Sequence, residues 1–536
     1  MSPGFLLTAW LTPLLLLLFT ATRAARWLPA LAALPGLVVA LSVPAGAVTD
    51  LGWLLLGVHL ALDGTARLFL LYTSLAWFAA ALYLLLRPDA ATGKSSFLLC
   101  FLLAMAGNML LILAADMLTF YAGFALMGLS AYGLVVAPGT LSAMRAGRRY
   151  LVWTIAGELA LFSGIVLLAT SSTSLLLADL DIVEPAAAAV LLILLGFGVK
   201  MALPGLHFWL PPVYRAAPAA AAAVMSGPML SAGLLGWLRF LPPATPGLAE
   251  WSQTVIVLGI AGAVLGFSGG ILQRDARGAL AWSSIAKAGS MTAILGAGLA
   301  MPDAAPVVLA ALVLFMLHHL VIKSALFLGM GEVERYGRPG WLVAGLVLLS
   351  LSLAGAPWTG GAAAKARLTE ALGMAGFDAG LLFTAAAVAT AMVMARFLWL
   401  VARQQDASAR AGRVAPLWLA FAIPAAWMPF GLSQASFSPG ALLALAAGIL
   451  LFAATRSLPA GFPAPETRQR MPAIPMLLAR WKPDWLSGSS DLVRSVARRM
   501  LNGEQRPEPA VMHAATAGVL WLGLFAILLS TLILFD

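Results

Sequence analysis

Charge is scarce in this chain of 536 residues: Asp, Glu, Lys and Arg together make up 10% of it, where soluble proteins carry about 25%. Set beside 62% hydrophobic residues and a mean hydropathy of +0.95, that shortage excludes a soluble globular class and leaves a polytopic membrane protein. Cysteine is nearly absent. The one cysteine, Cys100, lies in an apolar stretch and allows neither a disulfide within the chain nor a cysteine-held iron–sulfur cluster. Also missing are a G-x-G-x-x-G dinucleotide fingerprint, a P-loop and any cluster with metal-ligand spacing. We therefore expect no cofactor, no metal and no redox chemistry performed by this chain alone.

Long apolar runs are what the chain has in quantity. Approximately sixteen windows of about 20 residues centre near positions 13, 37, 75, 105, 127, 160, 196, 230, 262, 290, 316, 348, 390, 424, 447 and 524. The expected fold class is an all-α polytopic membrane protein with about 14–16 transmembrane helices. The first run lacks a basic flank before it and a cleavage site after it, so it reads as a spanning helix rather than a signal peptide. Residues 456–511 are basic and proline-rich, with one short amphipathic stretch, "SSDLVRSVARRML". Leu492, Val493, Val496 and Met500 share its apolar face, which is expected on the membrane surface or against a partner.

Basic residues set the topology. Numbered from the N-terminus, the odd loops hold 24 of the 32 Lys and Arg residues, while the even loops hold mainly acids such as Asp50, Asp116, Asp179, Asp181, Glu184 and Asp303. Odd loops are therefore expected on the cytoplasmic side, with both termini on the opposite face. The formal charge of +10 is a topology signal. It is dispersed over loops rather than gathered into one stripe, so no nucleic-acid partner is expected.

Six basic residues belong to no loop: Arg67, Lys200, Lys287, Lys323, Lys365 and Arg396. A charge at the centre of a spanning helix costs about 2.5 to 3.5 kcal/mol on insertion scales, so each needs a reason. Lysine suits proton work because desolvation and a nearby carboxylate act on its proton affinity in opposite directions, and a moving partner can load and unload it. Lys200 lies four residues before Pro204 in "FGVKMALPGLHFWLPP", and Lys365 follows a second interruption, "GAPWTGGAAAK". Gly- and Pro-interrupted apolar segments in corresponding positions of two halves point to a transporter's ion site. Between them come Lys287 in "SSIAKAG", and His319 and Lys323 in "HHLVIKSALFL". The i, i+4 spacing puts His319 and Lys323 on one helix face, suited to a two-station relay.

The stretches "KMALPGLHFWLPPVYRAAP", "RDARGALAWSSIAKAG", "HHLVIKSALFLGMG" and "LAGAPWTGGAAAK" resemble, in order and spacing, the antiporter-like subunits of respiratory complex I. The same family includes the large subunits of multisubunit sodium/proton antiporters and of membrane-bound hydrogenases. The likeness covers about residues 60 to 400. It implies two inverted five-helix repeats, each with a broken helix, joined by a polar axis at mid-membrane depth. Lys200 would match the first broken-helix lysine, His319 and Lys323 the central relay, and Lys365 the second broken-helix residue. The implied organisation is N-terminal helices over 1–95, repeats over 96–241 and 252–402, accessory helices over 403–455, a cytoplasmic loop over 456–511 and a last helix over 512–536.

The sequence departs from the family pattern in four places. "ALMGLSAY" carries Ala125 where the family has a glutamate partner for the first lysine, Ser231 stands at the place of a bridging lysine, Tyr214 at that of a histidine, and Lys287 at a usually neutral polar site. Glu158 is the candidate substitute carboxylate. It lies nine residues beyond Arg149, about 13 Å along a helix, so it is expected within salt-bridge distance of Lys200, directly or through one water. The bland readings are that Lys200 and Lys365 hold their helix breaks together through ion pairs, that Lys287 extends its amine toward a helix end, that His318 and His59 are packed or hydrogen-bonded, and that Arg67 pairs with Asp63. The resemblance implies a proton-translocating subunit of a multisubunit complex in a bacterial-type inner membrane, with other membrane subunits and a peripheral soluble module as partners. A cation/proton antiporter subunit serving homeostasis, or a non-conducting scaffold, are the alternatives.

Overall fold

The computed structural model describes residues 3–22, 25–54, 57–87, 92–172, 174–377, 380–404, 415–429 and 439–455. The amphipathic stretch, the 456–511 loop and the expected last helix lie outside the described residues. The chain opens with α1 (Leu6–Leu16) and α2 (Leu28–Ser42), then forms a two-stranded antiparallel hairpin of β1 (Ala47–Leu51) and β2 (Val58–Leu62). A search for 20-residue apolar runs is blind to five-residue strands, and the hairpin was not expected. Next come α3 (Gly64–Leu86), α4 (Ser95–Leu113), α5 (Met117–Val136) and α6 (Leu141–Ser171).

Two broken helices and their neighbours follow. The first break separates α7 (Ala187–Lys200) from α8 (Leu210–Ala216), and α9 (Ala219–Ser226) meets α10 (Pro228–Phe240) at Gly227. Then run α11 (Ser252–Ile271), α12 (Ala276–Ala300) and α13 (Ala305–Tyr336). The second break separates α14 (Gly340–Ala354) from α15 (Gly360–Met374), and α16 (Gly380–Ala402), α17 (Ala415–Ala425) and α18 (Pro439–Thr455) complete the described chain. In each of the series starting at α4 and at α11, the broken helix takes fourth place.

Among the described residues nine helices are long and apolar enough to cross a membrane, and the chain is an all-α multi-pass membrane protein. Neither broken helix is among the nine, because each piece is too short alone. Close packing rests on small residues, as membrane interfaces require in place of a hydrophobic driving force. A Cβ on Gly107 of α4 would stand 2.5 Å from the Met127 amide nitrogen of α5, and one on Gly259 of α11 would stand 2.2 Å from that of Ala293 on α12.

Polar contacts sort the helix ends onto two faces. On one, Arg87 binds both carboxylate oxygens of Glu332 at 3.0 Å, Arg277 binds Glu334 at 2.6 and 2.7 Å, and Arg215 binds Asp275 at 2.8 Å. On the other, Arg239 pairs with Asp63 at 2.5 Å, Thr245 donates to the Leu180 carbonyl, and residues 60 and 114 and residues 116 and 176 bridge. Among the described residues, loops 3, 7, 9 and 11 thus share one face and loops 2, 4, 6 and 8 the other. One sequence expectation is corrected here. Asp63 folds back to cap α3 through the Ala66 amide at 2.7 Å and takes Arg239 as its ion partner, while Arg67 reaches the Val43 carbonyl. An i, i+4 spacing does not produce a pair when the acid sits extended at the N-cap.

Candidate functional site

The two helix breaks are built alike. At the first, the Leu203 amide reaches back to the Gly198 carbonyl at 3.0 Å and the Ala202 amide to the Val199 carbonyl at 3.1 Å. At the second, the Ala356 amide reaches the Leu351 carbonyl at 2.9 Å and the Gly355 amide the Ser352 carbonyl at 3.0 Å. Both are Schellman endings, in which the residue after the helix turns left-handed. Gly355 occupies that place at φ +83°, but in the first break an alanine, Ala202, takes it at φ +52°. Pro204 cannot continue the helix, and Trp209 caps the Val199 carbonyl with its indole at 2.8 Å. Lys200 is therefore the last residue of α7, where the partial negative charge of the helix end favours a cation. Lys365 lies on the far side of its break, in the second half-helix.

In the first half, Lys200 is 6% exposed. Its Nζ donates to the Tyr150 hydroxyl at 3.3 Å, and that hydroxyl donates to the Gly128 carbonyl at 2.7 Å. The ammonium also lies 5.8 Å from the Phe124 ring centre and 5.6 Å from that of Tyr150, within cation–π range. Glu158, equally buried, comes from α6 and presses on α5: its Oε1 is 2.7 Å from where a Cβ on Gly128 would stand. Gly128 is one turn from Ala125 on the same helix face, so α6 delivers a carboxylate close to where α5 lacks one. The direct form of the expected contact is not formed. Neither Glu158 oxygen has a hydrogen-bond partner, and no ion pair joins it to Lys200, although Lys200 is the charge that acts on it through space. Tyr150 occupies the ammonium instead.

In the second half, α12 and α13 offer matching i, i+4 pairs. Lys323, fully buried, donates to the Leu280 carbonyl at 2.7 Å and to the Ser283 hydroxyl. One turn along each helix come Lys287 on α12 and His319 on α13, with the Lys287 ammonium 5.3 Å from the Phe315 ring centre. Lys287, His319 and Lys365 line one cavity of about 30 Å³ together with His318. Lys287 thus faces this cavity and does not extend to a helix end. His318 is hydrogen-bonded, as its bland reading holds, to the Ser352 hydroxyl at 3.0 Å, and it stands against Gly361 at the second break.

Between the halves lie hydroxyls rather than charges. Ser231 donates to the Pro228 carbonyl at 2.7 Å, Tyr214 to the Met225 carbonyl at 3.0 Å and Ser324 to the Ala223 carbonyl at 3.1 Å. Sequence reasoning missed Tyr150 and Ser283. Their partners are 50 and 40 residues away, and no local spacing signals such contacts.

Residues 114–395 match the family described as NADH:quinone oxidoreductase/Mrp antiporter, TM. The chain is 30% identical over 288 residues to hydrogenase-4 component B of Escherichia coli, covering 51% of this chain and 43% of that protein. It is 29% identical over 335 residues to NADH-quinone oxidoreductase subunit N 2 of Roseiflexus castenholzii, covering 56% and 67%. The chain spans about half the length of the first curated relatives it matches. The Mrp complex of a Dietzia species shares the fold, with a TM-score of 0.71 at 21% identity over 98% of this chain and 62% of that one. With more than half of its length matched, the chain belongs to the NADH:quinone oxidoreductase/Mrp antiporter family of membrane proteins.

Proposed function

We propose that the chain is the proton-translocating, antiporter-like subunit of a multisubunit complex in a bacterial-type plasma membrane, with the odd-loop face cytoplasmic and both termini on the other side. Its proton groups are Glu158 and Lys200 in the first half, then Lys323, His319, Lys287 and Lys365 in the second, within repeats at 96–241 and 252–402. The observation that carries this reading is the series of protonatable side chains, buried but for partly buried Lys365, associated with two helix breaks of identical hydrogen-bond pattern. A bound Na⁺ would need several oxygen ligands, as hard cations do, whereas the second half presents ammonium and imidazole groups. That favours protons over sodium. Partners are further membrane subunits and a soluble module that supplies or consumes the energy, as the names of the relatives suggest.

Replacement of Lys200 by alanine tests the proposal. The variant is expected to insert and assemble, since removal of a buried charge lowers insertion cost, and to lose proton-coupled activity of the complex in vesicles. Lys200→Arg does not restore it, because a guanidinium does not release its proton near neutrality. Full proton transport by assembled Lys200→Ala would make the lysine structural. A non-conducting scaffold is the second reading, favoured by one observation: the hydroxyls between the two halves are all committed to backbone carbonyls.

A further inference from the structure

The second-half cavity collects basic groups without an acid. Lys287, His318, His319 and Lys365 line it, Lys323 lies one turn from His319, and no aspartate or glutamate among the described residues joins them. The acids on the surrounding helices are used elsewhere: Asp275 by Arg215, Glu332 by Arg87, Glu334 by Arg277, and Glu370 by Arg367 on the exposed side of α15. None of Lys287, Lys323 and Lys365 forms an ion pair among the described residues. The first half differs, since there Glu158 lies close to Lys200. An uncompensated buried charge costs several kcal/mol per ion; this cluster holds buried Lys287, Lys323, His318 and His319 with partly buried Lys365 at its edge, and a proton on any of the buried groups has no acid beside it.

Two further features point to what compensates it. His319 is 1% exposed and faces the cavity, and neither of its ring nitrogens has a hydrogen-bond partner. The cavity also reaches Gly361 in the first turn of α15, the positive end of that helix and a favourable place for an anion. The volume, about 30 Å³, has room for about two waters or one halide. We propose that this cavity binds one small monovalent anion, chloride in the cell, held by Lys287, His319 and Lys365 and serving as counter-ion to the second half of the relay.

The proposal rests on the relay reading for its purpose but is tested without it. The purified full chain in lipid nanodiscs is titrated with bromide against gluconate at constant ionic strength, and bound halide is read by calorimetry and by chloride NMR line-broadening in competition. One saturable site is expected. His319→Leu and Lys365→Gln each weaken it by about tenfold or more, the scale of one charge-assisted contact, while Lys365→Arg retains it and reports that the fold survives a change at that position. Absence of saturable halide binding in the parent protein overturns the proposal, as does binding that both cavity variants leave unchanged. Halide binding that persists in a protein whose Lys200→Ala form still transports protons leaves the anion site standing and removes the relay.

Discussion

Tyr150 and Glu158 both come from α6 and approach the first half from two directions. The Tyr150 hydroxyl accepts from Lys200 and donates to the Gly128 carbonyl, while the carboxylate presses against Gly128 itself. A proton reaching the ammonium needs a hydroxyl or a water within hydrogen-bond reach of it; the Tyr150 hydroxyl meets Lys200, whereas neither Glu158 oxygen has a hydrogen-bond partner, so Tyr150 serves the Lys200 end of the path. We predict that Tyr150→Phe lowers proton transport by about tenfold to a hundredfold without loss of assembly, at the lower end of what a positioned proton-transfer group contributes. A rate equal to that of the parent would remove Tyr150 from the path. Glu158→Gln should lose transport to a similar degree, on the order of a hundredfold, and Ala125→Glu in that background should recover part of it. No recovery in the double variant, with both proteins assembled, would separate Glu158 from the role of the carboxylate missing on α5.

At the scale of elements, the two breaks differ at the left-handed position that ends the first half-helix. The left-handed position is glycine in the second and alanine in the first, and a Cβ in that conformation costs about 1–2 kcal/mol. Ala202→Gly is accordingly predicted to stabilise the detergent-solubilised protein by up to about 1 kcal/mol, reduced by the extra freedom glycine brings to the unfolded chain. Gly355→Ala is predicted to destabilise it by about 1–2 kcal/mol. Midpoints of thermal unfolding read both, and an Ala202→Gly protein that melts lower would mean that the alanine methyl has a packing role. The end of α13 depends on a different contact. Arg87 and Glu332 are nearly fully buried, paired through two hydrogen bonds, and Arg87 also lies 4.5 Å over the Tyr336 ring. Removal of one partner leaves the other charged and unpaired, so Glu332→Ala should cost about 3–5 kcal/mol, seen as reduced yield and a lower melting midpoint.

At the scale of the whole molecule, the contacts between helix ends divide the described loops between two faces, and the proposed orientation of those faces rests on the arginine distribution. Sidedness can be measured on a background in which Cys100 is replaced by alanine. A cysteine at exposed Ser142 should react with an impermeant maleimide only from the cytoplasmic side, and one at exposed Asp303 only from outside. The reverse labelling would invert the topology, and labelling of both from one side would break the two-face arrangement.

Apolar run length, the dispersion of arginine over alternate loops and the interruptions at Pro204 and Gly355 were legible in the sequence, because bilayer thickness, the positive-inside bias and helix termination act on contiguous residues. That His319 and Lys323 lie four residues apart on one helix, α13, was legible for the same reason. Tertiary structure decided which side chain each buried group meets. It gave Asp63 to Arg239 and Arg67 to a backbone carbonyl, placed Tyr150 on the Lys200 ammonium, and brought Ser283 of α12 to Lys323 of α13. A buried polar group takes whatever partner helix packing brings within about 3 Å. That choice depends on how helices far apart in sequence lie against one another, which no spacing within a single helix records.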